Sequence, residues 1–433
     1  MGAIFTVVVQ SYPGQETKAT DLLTYPTLFM GLGNLISMPL AIAFGRRPVF
    51  LASMLLLVAS GIWCTYSKSL ESHIVGRDIM SLAAGQSEAL APMIVQEIHF
   101  LHEKGKKLSW FVAIQNIAVG VFFIATQYLV SAYGWRWWYG LFTIINGALF
   151  LLSIVFVAES AYDRTGKING QKTLKIHVVT GQRWNDGLKL INIKPRLDKV
   201  PTFYVRLLQG FAMPTVVWAL LTNGIFLGLY VVQASTFATI LVAKFHMAFV
   251  NLAFVQGAQI VCCLVFLPVL GYGGDYLVKL LAKRNDSFYK PEYRLLLLII
   301  PSIVGVICAL VYGQAAIGNG HWYDIAVCYN GVYFAFLGAN IVGITYTVDS
   351  FPTRAGPLLV LICAGRGLMS FGLSYSTLPA INTIGYFGTM LVFGVLSGVF
   401  ALAAVPMYFC GLRLRAWSGR FTKVERESEE TLD

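Results

Sequence analysis

The sequence predicts an all-α polytopic membrane protein, a two-lobe helical bundle of 11 complete transmembrane helices behind an N-terminal stub. Three observations predict it. Hydrophobic residues are 57% of the 433 and charged residues 12%, against roughly 25% charged in a soluble domain. A soluble core of that size would lack the polar surface to cover it. Apolar runs that meet the roughly 20-residue length of a spanning helix recur along the chain, whose mean hydropathy is +0.67. Basic residues crowd into alternate loops.

The runs place helices at 22–43, 48–66, 73–96, 108–131, 137–158, 214–236, 248–272, 294–314, 323–346, 356–378 and 383–409. Before them, MGAIFTVVVQSYPG gives about a dozen helical residues, roughly 18 Å long, too short for a hydrocarbon core of ~30 Å. It reads as the last part of a helix whose start lies outside this sequence. A basic n-region and a small-residue cleavage site, the marks of a signal peptide, are missing.

If the stub exits outward, the inside segments are 44–47, 97–107, 159–213, 273–294, 347–355 and the tail from 410. They hold 26 Lys and Arg. The outside segments hold four: Lys18, Lys68, Arg136 and Lys244. This asymmetry puts both termini in the cytoplasm, with the plasma membrane as the expected location. It also explains the net charge of +11 without nucleic acid, because the basic residues anchor the inner face and meet anionic lipid. The bilayer is therefore an expected partner and nucleic acid is not.

All seven cysteines fall in or beside predicted helices, so no disulfide is expected. Cys262 and Cys263 are adjacent rather than spaced for zinc, and the six histidines are scattered. Neither a metal nor a cofactor is expected. The sequon Asn285-Asp286-Ser287 lies in a predicted inside loop and should escape glycosylation.

The longest polar segment, 159–213, carries ten basic and four acidic residues. It divides the chain into an N-terminal lobe (1–158), a connector (159–213), a six-helix lobe (214–409) and a solvated tail (410–433) whose composition is that of a disordered segment. Two pseudo-repeated halves commonly hold a binding site between them near the midplane. Within the connector, GLKLINIKPRL reads as an amphipathic stretch on the inner surface.

Ionic groups within the spans carry particular weight, because a charge near mid-membrane costs about 2.5–3.5 kcal/mol on insertion scales. Arg366 lies about ten residues into its helix, roughly 15 Å deep, among the small residues Gly365, Gly367 and Ser370. It is expected to face a cavity and bind an anionic group or a carboxylate; a purely structural interhelix bridge is the competing reading. Glu88 is the carboxylate placed deep within a predicted helix, a candidate proton carrier or a structural partner of a neighbouring helix. Arg77 and Asp78 lie near the outer end of the same helix. Asn223, Tyr230 and Gln233 follow roughly helical spacing, Gln256 and Gln259 stand at i, i+3, and Tyr329, Asn330, Tyr333 and Asn340 recur along one helix. Such side chains seek partners away from lipid, either as packing glue or as the lining of a cavity for an amphipathic molecule or cation. Asp349, three residues before Pro352, reads as a loop latch.

Two loops carry a related pattern. LAIAFGRRPVFL holds Gly45, Arg46 and Arg47, where glycine permits a tight turn and the arginines fix it at the inner face. The matching second-half loop, GYGGDYLVKLLAKR, holds Gly271, Asp275 and Lys279 at corresponding spacing. This repeat resembles the major facilitator superfamily. RDIMSLAAGQSEALAP (77–92) resembles its fourth-helix arginine motif. GWRWWYG, AESAYDR, KPEYRL and TYTVDSFPTRAG resemble fungal drug:proton antiporters and fungal amine and polyamine carriers. The resemblance covers essentially the whole chain and implies a major-facilitator-type bundle, with Arg77 in proton coupling or substrate orientation. Three features depart from the pattern. Ile42 occupies the acidic position of the first loop motif. The Gly-Pro and the Gly-Gly usual in the antiporter fifth helix fall on Phe122-Phe123 and Thr126-Gln127, and most of helix one is missing.

The expected function is secondary active transport by alternating access: proton-coupled efflux of a drug, toxin or secondary metabolite, by a monomer whose partners are a small molecule and protons. Proton-coupled uptake of an amine or polyamine is the alternative, and a membrane sensor that does not transport is a third reading. No nucleophile elbow, HExxH or phosphate loop points to an enzyme.

Overall fold

The computed structural model describes residues 4–98, 104–157, 159, 165–168, 171–174, 197–285, 290–318, 320–351 and 354–419. Two short helices, α1 (Phe5–Gln10) and α2 (Glu16–Ala19), precede α3 (Asp21–Phe44), α4 (Arg46–Tyr66), α5 (Leu70–Ile98), α6 (Lys104–Tyr133) and α7 (Trp135–Phe156). A hairpin of β1 (Thr165–Ile168) and β2 (Gln171–Leu174) follows, so the chain is not wholly helical. Then come α8 (Lys199–Gly210), α9 (Pro214–Ala243), α10 (Leu252–Phe266), a π-helical stretch Leu267–Tyr272 and α11 (Gly273–Arg284). The last elements are a 3-10 segment Pro291–Leu298, α12 (Ile299–Ile317), α13 (Trp322–Ser350), α14 (Ala355–Leu402) and α15 (Ala404–Ser418).

Each of the eleven predicted spans falls on a helical stretch, although α9 runs on to Ala243 and α15 to Ser418, well past the predicted ends at 236 and 409. Among the described residues, however, nine stretches are long and apolar enough to cross a membrane. Two causes reduce the number. Arg77, Asp78, Gln86 and Glu88 dilute the apolar character of α5, which is not among the nine. The last two spans run together as Ala355–Ser418, interrupted where Gly385 leaves the helical region at φ 74°. The loop expected at 273–294 is also partly helical. The π-helical stretch leads straight into α11, with no turn at Gly271. The connector stretch GLKLINIKPRL and the tail beyond 419 lie outside the described residues, apart from Leu197 of the former.

The local signals are readable. Gly45 has φ 106°, a conformation costly for residues with a Cβ, and it separates α3 from α4. Pro214 opens α9 at the first helical position, where a missing N–H costs nothing. At the start of α13, the His321 N–H donates to Asp324 Oδ2 at 2.7 Å, satisfying an orphan donor.

Packing distinguishes two helix groups. In one, α3 lies on α5 and α4 on α5 and α7; in the other, α9, α12, α13 and α14 pack together. The groups meet along two seams, α3 on α14 and α6 on α10. At the first seam backbones nearly touch: a Cβ on Gly31 would stand 2.9 Å from the Ala364 carbonyl oxygen, and one on Gly367 2.8 Å from that of Thr27. Without a hydrophobic drive between helices in lipid, such small-residue contact brings van der Waals attraction and fixes the seam. Toward the face where the connector joins α9, one apolar cluster runs through both groups. Met38, Leu90, Phe203, Leu207, Leu358 and Leu361 are all buried in it.

Candidate functional site

Arg366 sits on α14 with its side chain 8% exposed. Its Nη2 lies 2.6 Å from Glu88 Oε1 on α5, and its Nη1 donates to Asn340 Oδ1 on α13 at 2.8 Å. Asn34 on α3 donates to the other Glu88 oxygen at 3.3 Å, and the Cys363 thiol donates to the Glu88 carbonyl at 3.9 Å. The pair therefore joins the two helix groups, and an amide from each group completes it. This geometry meets the main energetic condition for burying two charges, close pairing reinforced by further hydrogen bonds, while Arg366 Nε has no hydrogen-bond partner among the described residues. Glu88 itself is 16% exposed.

Arg77 lies eleven residues earlier on α5, about 16 Å further from the connector face. Its Nε donates to the Leu22 carbonyl at 2.7 Å and its Nη1 to the Tyr139 hydroxyl at 3.2 Å. Tyr139 in turn meets His73 Nε2 at 2.9 Å, and His73 stacks on Trp135 with centroids 4.8 Å apart. The guanidinium is thus fixed from two sides. Asp78, expected near the interface, is buried, and its Oδ1 has no hydrogen-bond partner among the described residues.

Between the groups lies a cavity of about 310 Å³. Leu23, Pro26 and Met30 of α3 form one wall, with Arg77 and Ser81 of α5 beside them. Phe123 closes one side, and Tyr230, Gln256 and Tyr329 stand opposite. The two tyrosine rings stack with centroids 5.6 Å apart and their hydroxyls meet at 3.3 Å. Gln259 donates to the Tyr230 hydroxyl at 3.0 Å. Gln127 of α6 donates to Gln256 Oε1 at 3.3 Å, a second pair of side chains joined across the groups. Tyr333 donates to Asn116 nearby, a third.

The remaining polar residues of the second half divide. Asn330 donates to the carbonyls of Val255 and Ala326, which is packing glue. Asn223 donates to Ala219 within its own helix. Gln233 is fully buried, with neither amide atom bonded among the described residues. None of these three lines the cavity. The Glu88–Arg366 pair also stands apart from the wall, on the connector side.

The first loop gains an acid that the sequence left unassigned. Glu159, just past α7, accepts from the backbone N–H groups of Arg46 and Arg47 at 3.0 and 3.1 Å. A carboxylate on exposed amides at a helix start is favourable, and it compensates for Ile42. The Arg47 side chain is buried and donates to the Ile154 carbonyl at 2.7 Å. Among the described residues of the second half, ionic ties include Arg294–Asp349 at 2.6 Å and Arg415–Glu292 at 2.7 Å. Lys279 is exposed, Gly271 has open space where a Cβ would stand, and the side chain of Asp275 lies outside the described residues. Glu159 stands within AESAYDR, but its pairing was illegible there because the partners are backbone amides more than a hundred residues away.

Two groups of apolar helices with a cavity and a buried ion pair between them form the architecture of a solute carrier. The particular family is fixed by comparison: the Major Facilitator Superfamily model matches residues 1–362, and the chain belongs to that family. It is a multi-pass membrane protein and a secondary transporter. An uncharacterized MFS-type transporter of Schizosaccharomyces pombe is 23% identical, over 95% of this chain and 79% of that protein. The MFS-type transporter penM of Penicillium rubens is 26% identical, over 87% and 73%. The efflux pump radE of Floropilus chiversii is 23% identical, over 92% and 74%. Among solved structures, the xylose transporter XylE from E. coli shares the fold at a TM-score of 0.61 and 17% identity, over 94% of this chain and 91% of that one. The human organic anion transporter MFSD10 does so at 0.58 and 13%, over 93% and 88%.

Proposed function

We propose that this chain, as a monomer in the plasma membrane with both termini cytoplasmic, exports a small organic molecule (a drug, toxin or secondary metabolite) in exchange for protons. The observation that carries the reading is the Glu88–Arg366 pair, 2.6 Å apart, bridging the helix groups on the connector side of the cavity. Opening the cavity toward that face must part the groups, and parting them breaks the pair. Glu88 then loses its counter-charge while still largely buried, so opening toward that face cannot proceed without a change at this carboxylate. The relative named as an efflux pump supports the outward direction.

A second reading, uptake of an amine or polyamine, draws on α6. Gln127 is fully buried and bonded across the groups at a position where the resembling antiporters carry glycine. The sensor reading gains no support from relatives that are themselves named as transporters and pumps.

Inside-out and right-side-out vesicles carrying the chain separate these readings. Export by proton exchange requires solute to accumulate in energised inside-out vesicles and an uncoupler to abolish the accumulation. Accumulation only in right-side-out vesicles would establish uptake instead.

A further inference from the structure

Proton-coupled export leaves the substrate class open, and the cavity between the helix groups narrows it. Resting on that transport reading, we infer that the cavity selects a compact aromatic organic anion and discriminates against amines.

The charge of the wall favours an anion. Among the described lining residues Arg77 alone carries a formal charge, and no carboxylate joins it. Asp78, the next residue, turns about 100° away around α5 and does not line the cavity. Glu88 is engaged by Arg366 outside the wall. An ammonium group entering here meets a like charge on the wall itself, while the Asp78 carboxylate that interacts electrostatically with Arg77 lies outside the lining. A carboxylate meets a preformed partner.

That partner is held in place before any ligand arrives. Nε and Nη1 of Arg77 are committed to Leu22 and Tyr139. Its Nη2 has no hydrogen-bond partner among the described residues, and it is not sealed from the cavity as a buried orphan atom would be. An arginine held by two bonds with one nitrogen left over is a preorganised anion donor, because little side-chain entropy remains to be lost on binding.

The shape of the space favours a ring. The wall opposite α5 offers the stacked Tyr230 and Tyr329 rings, and Phe123 flanks the space. Aliphatic side chains such as Leu23 and Met30 make up much of the rest, beside the uncharged polar Thr27, Ser235 and Gln256. The volume, about 310 Å³, is at the small end of ligand pockets. It suits a fused or single ring system bearing one acidic group, with the ring against the tyrosines and the acid on Arg77.

The test uses the purified full chain and three matched probes: naphthoate, naphthamide and naphthylmethylamine. Equilibrium dialysis should show naphthoate binding at least about tenfold tighter than the amine, the contribution of one desolvated charge contact. Arg77→Gln should reduce naphthoate to within about twofold of the amide, and Ser81→Asp, which puts a carboxylate in the same wall, should reverse the order toward the amine. If Arg77→Gln does not fold, Ser81→Asp carries the test alone. Equal or tighter binding of the amine by the native chain, an unchanged preference in either variant, or failure of all three probes to bind the folded protein would overturn the inference. The two readings fail separately: vesicles that accumulate the amine or the amide under a proton gradient would leave the transporter standing and refute only the substrate class.

Discussion

At the scale of single residues, the balance at Glu88 and Arg366 decides stability and coupling differently. Removing one member of a buried ion pair leaves an uncompensated charge and costs about 3–5 kcal/mol, whereas replacing both with neutral groups of similar volume is often close to neutral. Arg366→Met should therefore destabilise the chain by about 3 kcal/mol, and the Glu88→Gln/Arg366→Met double variant should recover most of that loss. Unfolding in detergent micelles, read as a double-mutant cycle, measures it. Transport separates the roles: the double variant should stay folded yet lose proton dependence. A folded double variant that still concentrates solute against an imposed pH gradient would show that the proton travels elsewhere. Both residues were legible in the sequence, because charged groups in apolar helices announce themselves. Their pairing was not. Sequence spacing fixes neighbours within one helix, and these two lie on helices from opposite halves of the chain.

At the scale of elements, the helices are legible and their joints are not. Apolar runs located the helical stretches, because lipid forces each backbone donor and acceptor into an intrahelical bond. What the runs could not show was continuity across Gly385, the helical course through Gly271, or the docking of α8. That helix lies just beyond the connector stretch GLKLINIKPRL. Phe203 and Leu207 enter the shared apolar cluster, the Tyr204 hydroxyl donates to the Leu35 carbonyl at 3.0 Å, and Arg354 Nη1 donates to Gln209 Oε1 at 2.8 Å. It thus reaches α3 and the start of α14 at once. Leu207→Asn should undock it, and amide exchange in 199–210 should quicken by about tenfold or more, since local opening sets that rate. The spans should exchange as before. The Glu159 contact belongs to this scale too, for it joins the end of α7 to the start of α4. Glu159→Ala strips two backbone donors of a charged acceptor and should cost about 1.5–3 kcal/mol, measurable as a lowered Tm. Unchanged stability would mean that water serves those amides equally well.

At the scale of the whole molecule, the relation between the two helix groups is what turns a fold into a carrier. Among the described residues, three pairs of polar side chains meet across them: Glu88–Arg366, Gln127–Gln256 and Asn116–Tyr333. Such contacts can break without unfolding either group, whereas contacts within a group include long helix–helix seams. An alternating cycle requires the first kind to exchange and the second to persist. The glycine-mediated approach of α3 and α14 is the seam expected to act as a fulcrum, since close backbones can rock without displacing bulky side chains. A covalent tie across the second seam tests this. Gln127→Cys/Gln256→Cys, in a background with the native cysteines replaced, puts two thiols on facing positions of the seam, across the space that the longer glutamine side chains bridge. Cross-linking with a short bis-methanethiosulfonate should cut transport by about tenfold or more, because a locked seam removes the opposite-facing state from the equilibrium. Reductant should restore it. Either single variant, treated alike, should show no such loss. Were the cross-linked protein to transport at the uncross-linked rate, the α6–α10 seam would be static, and the motion would have to be confined to α3, α5 and α14.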